Sequence, residues 1–318
     1  MPLRKINTVL GSIHPDELGI TAMHEHILWG PYGWQYDPEW WYHVPKVYQK
    51  CSQDLVEYGR LGGKTLVDLS GIGLGRNINF YVEVSQSSRV NVVVCTGFWA
   101  ERGIPCYFQN RDVDYYEELF IRELTVGIEG TPIKAGIIKV GNNRDEITEL
   151  EEILYRAAAR ASKKTGASVT THGVESARHQ VEIFLDEKVD PERIIIAHCD
   201  AANALDFERD KEIAKRGFNV AYDHIGIDPT WSPQKYALHD DVRADMVKAM
   251  IGAGHIKKLL LSCDVNSFSL GWQKSSPVLG KSVVGDLFRF LPRLHRIGVT
   301  TEQFLTMVEE NPAEVLPF

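Results

Sequence analysis

Short apolar runs recur along the whole chain, separated by charged stretches whose apolar residues fall at helical spacing. The runs are GITAMHEH (19–26), KTLVDLS (64–70), VNVVVCTG (90–97), IKAGIIKV (133–140), ASVTTHG (167–173), RIIIAHCD (193–200), FNVAYDH (218–224) and KKLLLSCD (257–264). Most are continuously apolar and do not alternate, the pattern of parallel strands covered on both faces. Segments such as EITELEEILYRAAARASKK and DVRADMVKAMIGAGHIKK read as the amphipathic helices that cover them. Strand and helix alternate eight times with no linker or low-complexity break. The expected fold is therefore α/β, a single (β/α)8 TIM barrel over residues 1–318, with a doubly wound sheet as the alternative.

The strand ends carry the chemistry. In a barrel, catalytic groups come from the C-terminal ends of several strands, where the loops form the active face. Here those ends hold His24-Glu25-His26, Lys139, His172, His198, Asp223-His224 and Asp264. Side chains alternate along a strand, so His24 and His26 point one way and Glu25 the other. Singly, each histidine reads as a satisfied core residue. Together, His24, His26, His172, His198 and Asp264 would leave several buried groups unpaired unless something bound them, which points to a metal site. His14, His43, His179, His239, His255 and His295 read as surface residues.

Lys139 stands apart from that set, because an ammonium in a metal cluster is repulsive. Its place in GIIKV argues that it points inward, where burial favours the neutral amine. A neutral amine can take up carbon dioxide as a carbamate, an anionic bidentate ligand able to bridge two cations. A lysine at the surface is the plainer alternative.

INTVLG, TAMHEH, VVVCTGFW, GIEGTPIKAGIIKVG, RAAARASKKTGASVTTH, IIIAHCD and LLLSCD carry a resemblance over essentially the whole chain. It resembles the phosphotriesterase family of the amidohydrolase superfamily. That resemblance implies two divalent transition metals per chain, zinc first, with manganese, cobalt or iron as options. It implies that His24, His26 and Asp264 hold one ion and His172 and His198 the other. Carboxylated Lys139 and a hydroxide would bridge the two ions. Asp264 would orient the attacking hydroxide and take its proton. A homodimer is also implied. The lactonase branch typically has Tyr and Arg where this chain has Trp99 and His224, and the organophosphate-hydrolysing branch has Trp and His. A proton relay in that second branch ends on an Asp three residues after the strand-six His; that position is Ala201 here, with Asp200 one residue earlier.

All seven tryptophans read as following strands: Trp29, Trp34, Trp40 and Trp41 after the first, Trp99, Trp231 and Trp272 after later ones. Tyr32, Tyr36, Tyr42, Tyr107 and Phe268 join them. The expected pocket, with Trp99, Arg102, His224 and Trp272 in its walls, suits a neutral, largely apolar lactone or carboxylic ester. Loop cores or a dimer contact would use the same residues, above all in the long first loop. Lys274 and Arg102 are the mouth-side cations that a phosphorylated sugar lactone would need.

Composition narrows the partners. Lys plus Arg number 35 against 43 Asp plus Glu, a net charge of −8, which disfavours nucleic-acid and anionic-membrane binding. No stretch approaches the ~18 apolar residues of a spanning helix, and the N-terminus does not read as a signal peptide. Five scattered cysteines without CxxC fit a reduced, cytoplasmic setting. GIGLGRN (71–77) lacks the third glycine of a dinucleotide loop, so no nucleotide cofactor is expected. The chain has no GxSxG elbow for a serine nucleophile. An N-acyl amide hydrolase and a non-catalytic binding protein on the same scaffold are the competing functions.

Overall fold

A computed structural model describes residues 4–36, 43–143, 146–230, 232, 234–271 and 285–318. It opens with a small hairpin, β1 (Ile6–Thr8) and β2 (Gly11–Ile13), which the apolar pattern did not announce. The eight expected runs then form β3 (Ile20–Trp29), β4 (Gly63–Asp68), β5 (Asn91–Gly97), β6 (Ile137–Lys139), β7 (Val169–Thr170), β8 (Ile194–Ile196), β9 (Asn219–Tyr222) and β10 (Leu259–Leu261). Neighbours pair in parallel and in sequence order. A further short strand, β11 (Asn266–Ser269), lies where a loop was expected, and pairs in parallel with β3.

β11 is what closes the barrel. The last strand bends after β10, and backbone bonds from Asp264 N to His24 O (3.0 Å) and from His26 N to Val265 O (3.0 Å) join it to the first. The architecture is a (β/α)8 barrel, as the alternation of strand and helix implied.

The helices that cover the strands are α1 (Val44–Arg60), α2 (Ile78–Ser88), α3 (Val113–Thr125), α4 (Glu149–Thr165), α5 (Ala177–Asp186), α6 (Phe207–Lys215), α7 (Asp240–Gly252) and α8 (Gly285–Arg296). Local sequence sets their limits. In α4, Thr148 and Glu151 form a reciprocal capping box and Gly166 ends the helix at φ 84°. The barrel interior is plugged by Met23, Val67, Leu69, Val93, Cys95, Ile137, Ile195, Ala221 and Leu260, so only the upper end is open for chemistry. The larger core lies between sheet and helices. Among the described residues no helix is long and apolar enough to cross a membrane. All five cysteines are free; Cys106 is exposed and the others are buried.

β3 departs from simple alternation. It gains one residue on β4 between Ala22 and Glu25, a bulge beside the first histidine. Met23 plugs the barrel while His24, its neighbour, also lines the upper cavity. β3 also runs three residues past His26, so Trp29 is its last residue and not part of the following loop.

Candidate metal centre

Above the plug lies a cavity of about 780 Å3 whose lining includes His24, His26, Lys139, His172, His198, His224 and Asp264. Seven strand-end residues separated by up to 240 positions in sequence thus meet in one space. Two of them sit in left-handed backbone, His198 at φ 61° and Asp264 at φ 47°. Non-glycine residues rarely adopt that conformation, and it persists only where surrounding bonds hold it.

The outer bonds decide which ring nitrogens face the cavity. Asp223 accepts from His24 Nδ1 (2.7 Å) through one oxygen. Its other oxygen accepts from His198 Nδ1 (2.9 Å) and His198 N (2.9 Å). Ser70 Oγ donates to Leu28 O (2.6 Å) and so accepts from His26 Nδ1 (2.8 Å). With Nδ1 carrying the proton in all three, each Nε2 presents a lone pair. His26 Nε2 then faces Asp264 Oδ1 at 3.1 Å and His24 Nε2 faces the same oxygen at 3.5 Å. Acceptors this close with no hydrogen between them repel, and a cation removes the repulsion. The donor set, imidazole nitrogen with carboxylate oxygen, suits a divalent transition metal. His24, His26 and Asp264 form a group able to hold an ion, and so do His198, His224 and Asp264. His172 Nδ1 lies 2.8 Å from His198 Nε2.

Burial governs the protonation of this cluster. It lowers His24 to about 3, with the Lys139 charge adding to it, so the ring is neutral. It also takes His172 well below the usual imidazole range. Lys139 is 2% exposed and points inward, as GIIKV implied. Burial lowers it to about 8 against the opposing pull of Asp264 and Asp223. Its Nζ donates to Thr171 O (2.8 Å) and lies 3.4 Å from His24 Nε2. The lowered pKa enlarges the fraction of neutral amine near neutral pH, and the neutral amine is the species that forms a carbamate.

Glu25, expected to point away, does so, and its position has a consequence that the alternation did not show. Its carboxylate is fully buried and accepts from Ser262 Oγ (2.8 Å), Cys263 N (2.9 Å) and Val265 N (3.1 Å). Those bonds bracket Asp264 and hold it in its left-handed conformation. Asp200 likewise answers the absence of a carboxylate at Ala201. It lies 3.5 Å from His224 Nδ1, while His224 Nε2 lies 3.4 Å from Asp264 Oδ2. Asp200 also accepts from the backbone N–H groups of Asp223 and His224 (3.1 Å each) and from Arg243 Nε (2.7 Å). Burial opposes charge on His224, but Asp200, Asp264 and Asp223 outweigh it and raise its pKa. Tyr236 stacks on His224 at 4.8 Å.

The cavity walls match the expected pocket in part. Trp29, Leu69, Leu74, Trp99 and Tyr236 line it, and Arg102, Glu175, Asn203 and Lys235 add polar groups. Trp99 meets His172 edge-on at 5.3 Å. Of the loop aromatics, Tyr32 lines the cavity but Tyr36 and Tyr107 do not; they are 79% and 67% exposed. Trp34 and Phe268 pack against the main core. Trp40, Trp41, Tyr42, Trp231, Trp272 and Lys274 lie outside the described residues. His43, His179, His239 and His295 are exposed, as expected, and His14 and His255 are partly so.

Comparison with known proteins agrees with this geometry. The chain matches the phosphotriesterase family over residues 4–316. It is 32% identical to a phosphotriesterase homology protein of Mycobacterium tuberculosis, with 98% of this chain and 97% of that one aligned. It is 30% identical to an aryldialkylphosphatase of Saccharolobus solfataricus, over 95% of this chain and 96% of the relative. It is 26% identical to an N-acetyltaurine hydrolase of Dictyostelium discoideum, over 98% and 97% respectively. With its barrel, its cluster of strand-end histidines and a match along nearly its whole length, the chain belongs to the phosphotriesterase family of metal-dependent hydrolases.

Proposed function

We propose that the protein is a binuclear metal-dependent hydrolase of a lactone or carboxylic ester, with phosphotriester hydrolysis as a second activity. The observation that carries this reading is the convergence of the His24 and His26 Nε2 lone pairs on Asp264 Oδ1, beside a buried Lys139 whose pKa is lowered. His24, His26 and Asp264 would hold one ion, His172 and His198 the second, and carboxylated Lys139 would bridge them. Such ions supply a water that ionises near neutral pH and polarise the oxygen of the substrate.

The chain's own residues do the rest. Asp223 and Ser70 fix the ring orientations of the histidines. Asp264 is placed to take the proton of the attacking water, and His224, 3.4 Å away and backed by Asp200, is placed to receive it. Trp29, Leu69, Leu74 and Trp99 give the reacting end of the substrate an apolar surround.

An amide substrate is the second reading, favoured by the relative that bears the name N-acetyltaurine hydrolase. The same groups serve either bond, and an ester compared with its isosteric amide separates the two. The test of the main reading is side-by-side hydrolysis of an acyl-chain γ-lactone and an aryl dialkyl phosphate, by protein prepared with divalent metal and bicarbonate. Faster, chelator-sensitive lactone turnover is the expected result. Faster phosphate turnover would instead assign Trp99 and His224 to organophosphate chemistry. Turnover of neither would overturn the proposed substrate class.

A further inference from the structure

Two arginines beside the metal cavity differ from most others in the protein. Arg76, Arg156, Arg209 and Arg243 are paired with Glu123, Glu152, Asp210 and Asp200. Arg102 and Arg111 have no carboxylate partner among the described residues. Each is laid on aromatic rings: Arg102 Cζ is 4.5 Å from the centre of the Trp99 ring, and Arg111 Cζ is 5.0 and 4.9 Å from those of Tyr107 and Tyr115. The Nε of Arg111 is buried with no hydrogen-bond partner.

Both arginines line a second cavity of about 950 Å3 that adjoins the metal cavity, and Arg102 and Asn143 belong to the walls of both. The platform under Arg102 is fixed. A Cβ at Gly103 would fall 2.0 Å from Trp99 Nε1, so the indole packs directly on that backbone. Among the described residues, the acids of this second cavity make no ion pair with the arginines. Glu151 is engaged by Thr148 N and Glu101 N (3.1 Å each), and Glu101 and Glu149 form no ion pair with either guanidinium. The N-terminus of α4 opens into the same space, where Glu149, Glu151 and Glu152 of its first turn offset the helix dipole.

A guanidinium stacked on a ring has already lost much of its rotamer freedom and keeps its in-plane N–H fork for an oxyanion. We propose that Arg102, supported by Arg111, is a specificity-determining residue that binds an anionic group at the end of the substrate remote from the bond broken. The substrate is then an acyl compound with an uncharged reacting end over the metal cluster and a carboxylate, sulfonate or phosphate extending past Trp99. This rests on the hydrolase reading above and narrows its substrate class.

The test uses the metal-loaded protein and two esters of equal chain length, the mono-para-nitrophenyl ester of adipate and para-nitrophenyl hexanoate. The wild type is expected to prefer the charged ester in kcat/KM. Arg102→Gln should reduce that preference about ten- to a hundredfold, chiefly through KM, as loss of a charge-assisted bond implies. Arg111→Gln should reduce it less. Equal preference in wild type and Arg102→Gln would overturn the proposal while leaving the hydrolase reading intact. If neither ester is cut, the hydrolase reading is what fails, and calorimetric binding of adipate against hexanoate decides the anion site by itself. Adipate bound more tightly, with the advantage lost in Arg102→Gln, would uphold the site; no advantage would overturn it.

Discussion

Asp223→Asn probes the orientation of the centre at its most connected point. One Asp223 oxygen accepts from His24 Nδ1 at 2.7 Å; the other accepts from His198 Nδ1 and His198 N, each at 2.9 Å. The substitution keeps shape and volume but replaces one oxygen by an NH2 group, which cannot accept. Whichever way the amide lies, one imidazole loses the partner that keeps its proton on Nδ1. That ring then turns or moves the proton to Nε2, where it blocks the lone pair directed at the cavity. Loss of such an outer partner lowers metal affinity by about 10–100-fold, or about 1.4–2.8 kcal/mol. The metal-free protein should also lose about 1.5–3 kcal/mol of stability with the charged bond. Competition against a chromophoric chelator measures the first quantity and urea unfolding the second. Metal affinity within about twofold of wild type would refute the claim that Asp223 orients the ligands.

Three further outcomes are expected. Glu25→Gln should cost about 1–3 kcal/mol in urea unfolding and lower metal occupancy, because Cys263 N and Val265 N bond to different oxygens of Glu25 and one of them would face an NH2 group; an unchanged midpoint would exclude the clamp. Lys139→Ala should abolish turnover and regain part of it with short carboxylic acids; full activity in the variant without them would exclude the carbamate. Lys139 has a folded pKa of about 8 against an ordinary 10.5, so the unfolded chain binds the extra proton between those values. Stability of the metal-free wild type should therefore rise with pH across that window, by on the order of 3 kcal/mol. Lys139→Met should remove the rise, and a parallel pH profile would contradict it.

The strand-end histidines were legible because an apolar parallel strand leaves few reasons for a polar residue at its tip. His24, His26, Lys139, His172, His198, His224 and Asp264 all reach one cavity, and Lys139 points inward as its apolar neighbours implied. What stayed hidden depends on partners distant in sequence. Asp223 was visible as a polar strand end, but its bond to His24 spans 199 positions. Glu25 reads as merely outward-facing until residues 262–265 fold against it. β11 is short and polar and becomes a strand only because β3 offers an edge. Arg243 lies in a charged helical segment that gives no sign of its partner, and it is fully buried against Asp200, 43 positions earlier. The sequence leaves open which loop aromatics face the pocket, because loop position says nothing about side-chain direction; Tyr36 and Tyr107 are exposed.

Dependence of the reaction on metal at the strand-end cluster is tested most directly by following metal content and turnover together, on one preparation titrated with chelator. The expected result is loss of lactone or phosphotriester hydrolysis in step with removal of two equivalents of metal per chain, reversed when metal is restored. Undiminished turnover by metal-free protein, or turnover restored by metal in a His24→Ala, His26→Ala double variant to the wild-type level, would contradict it.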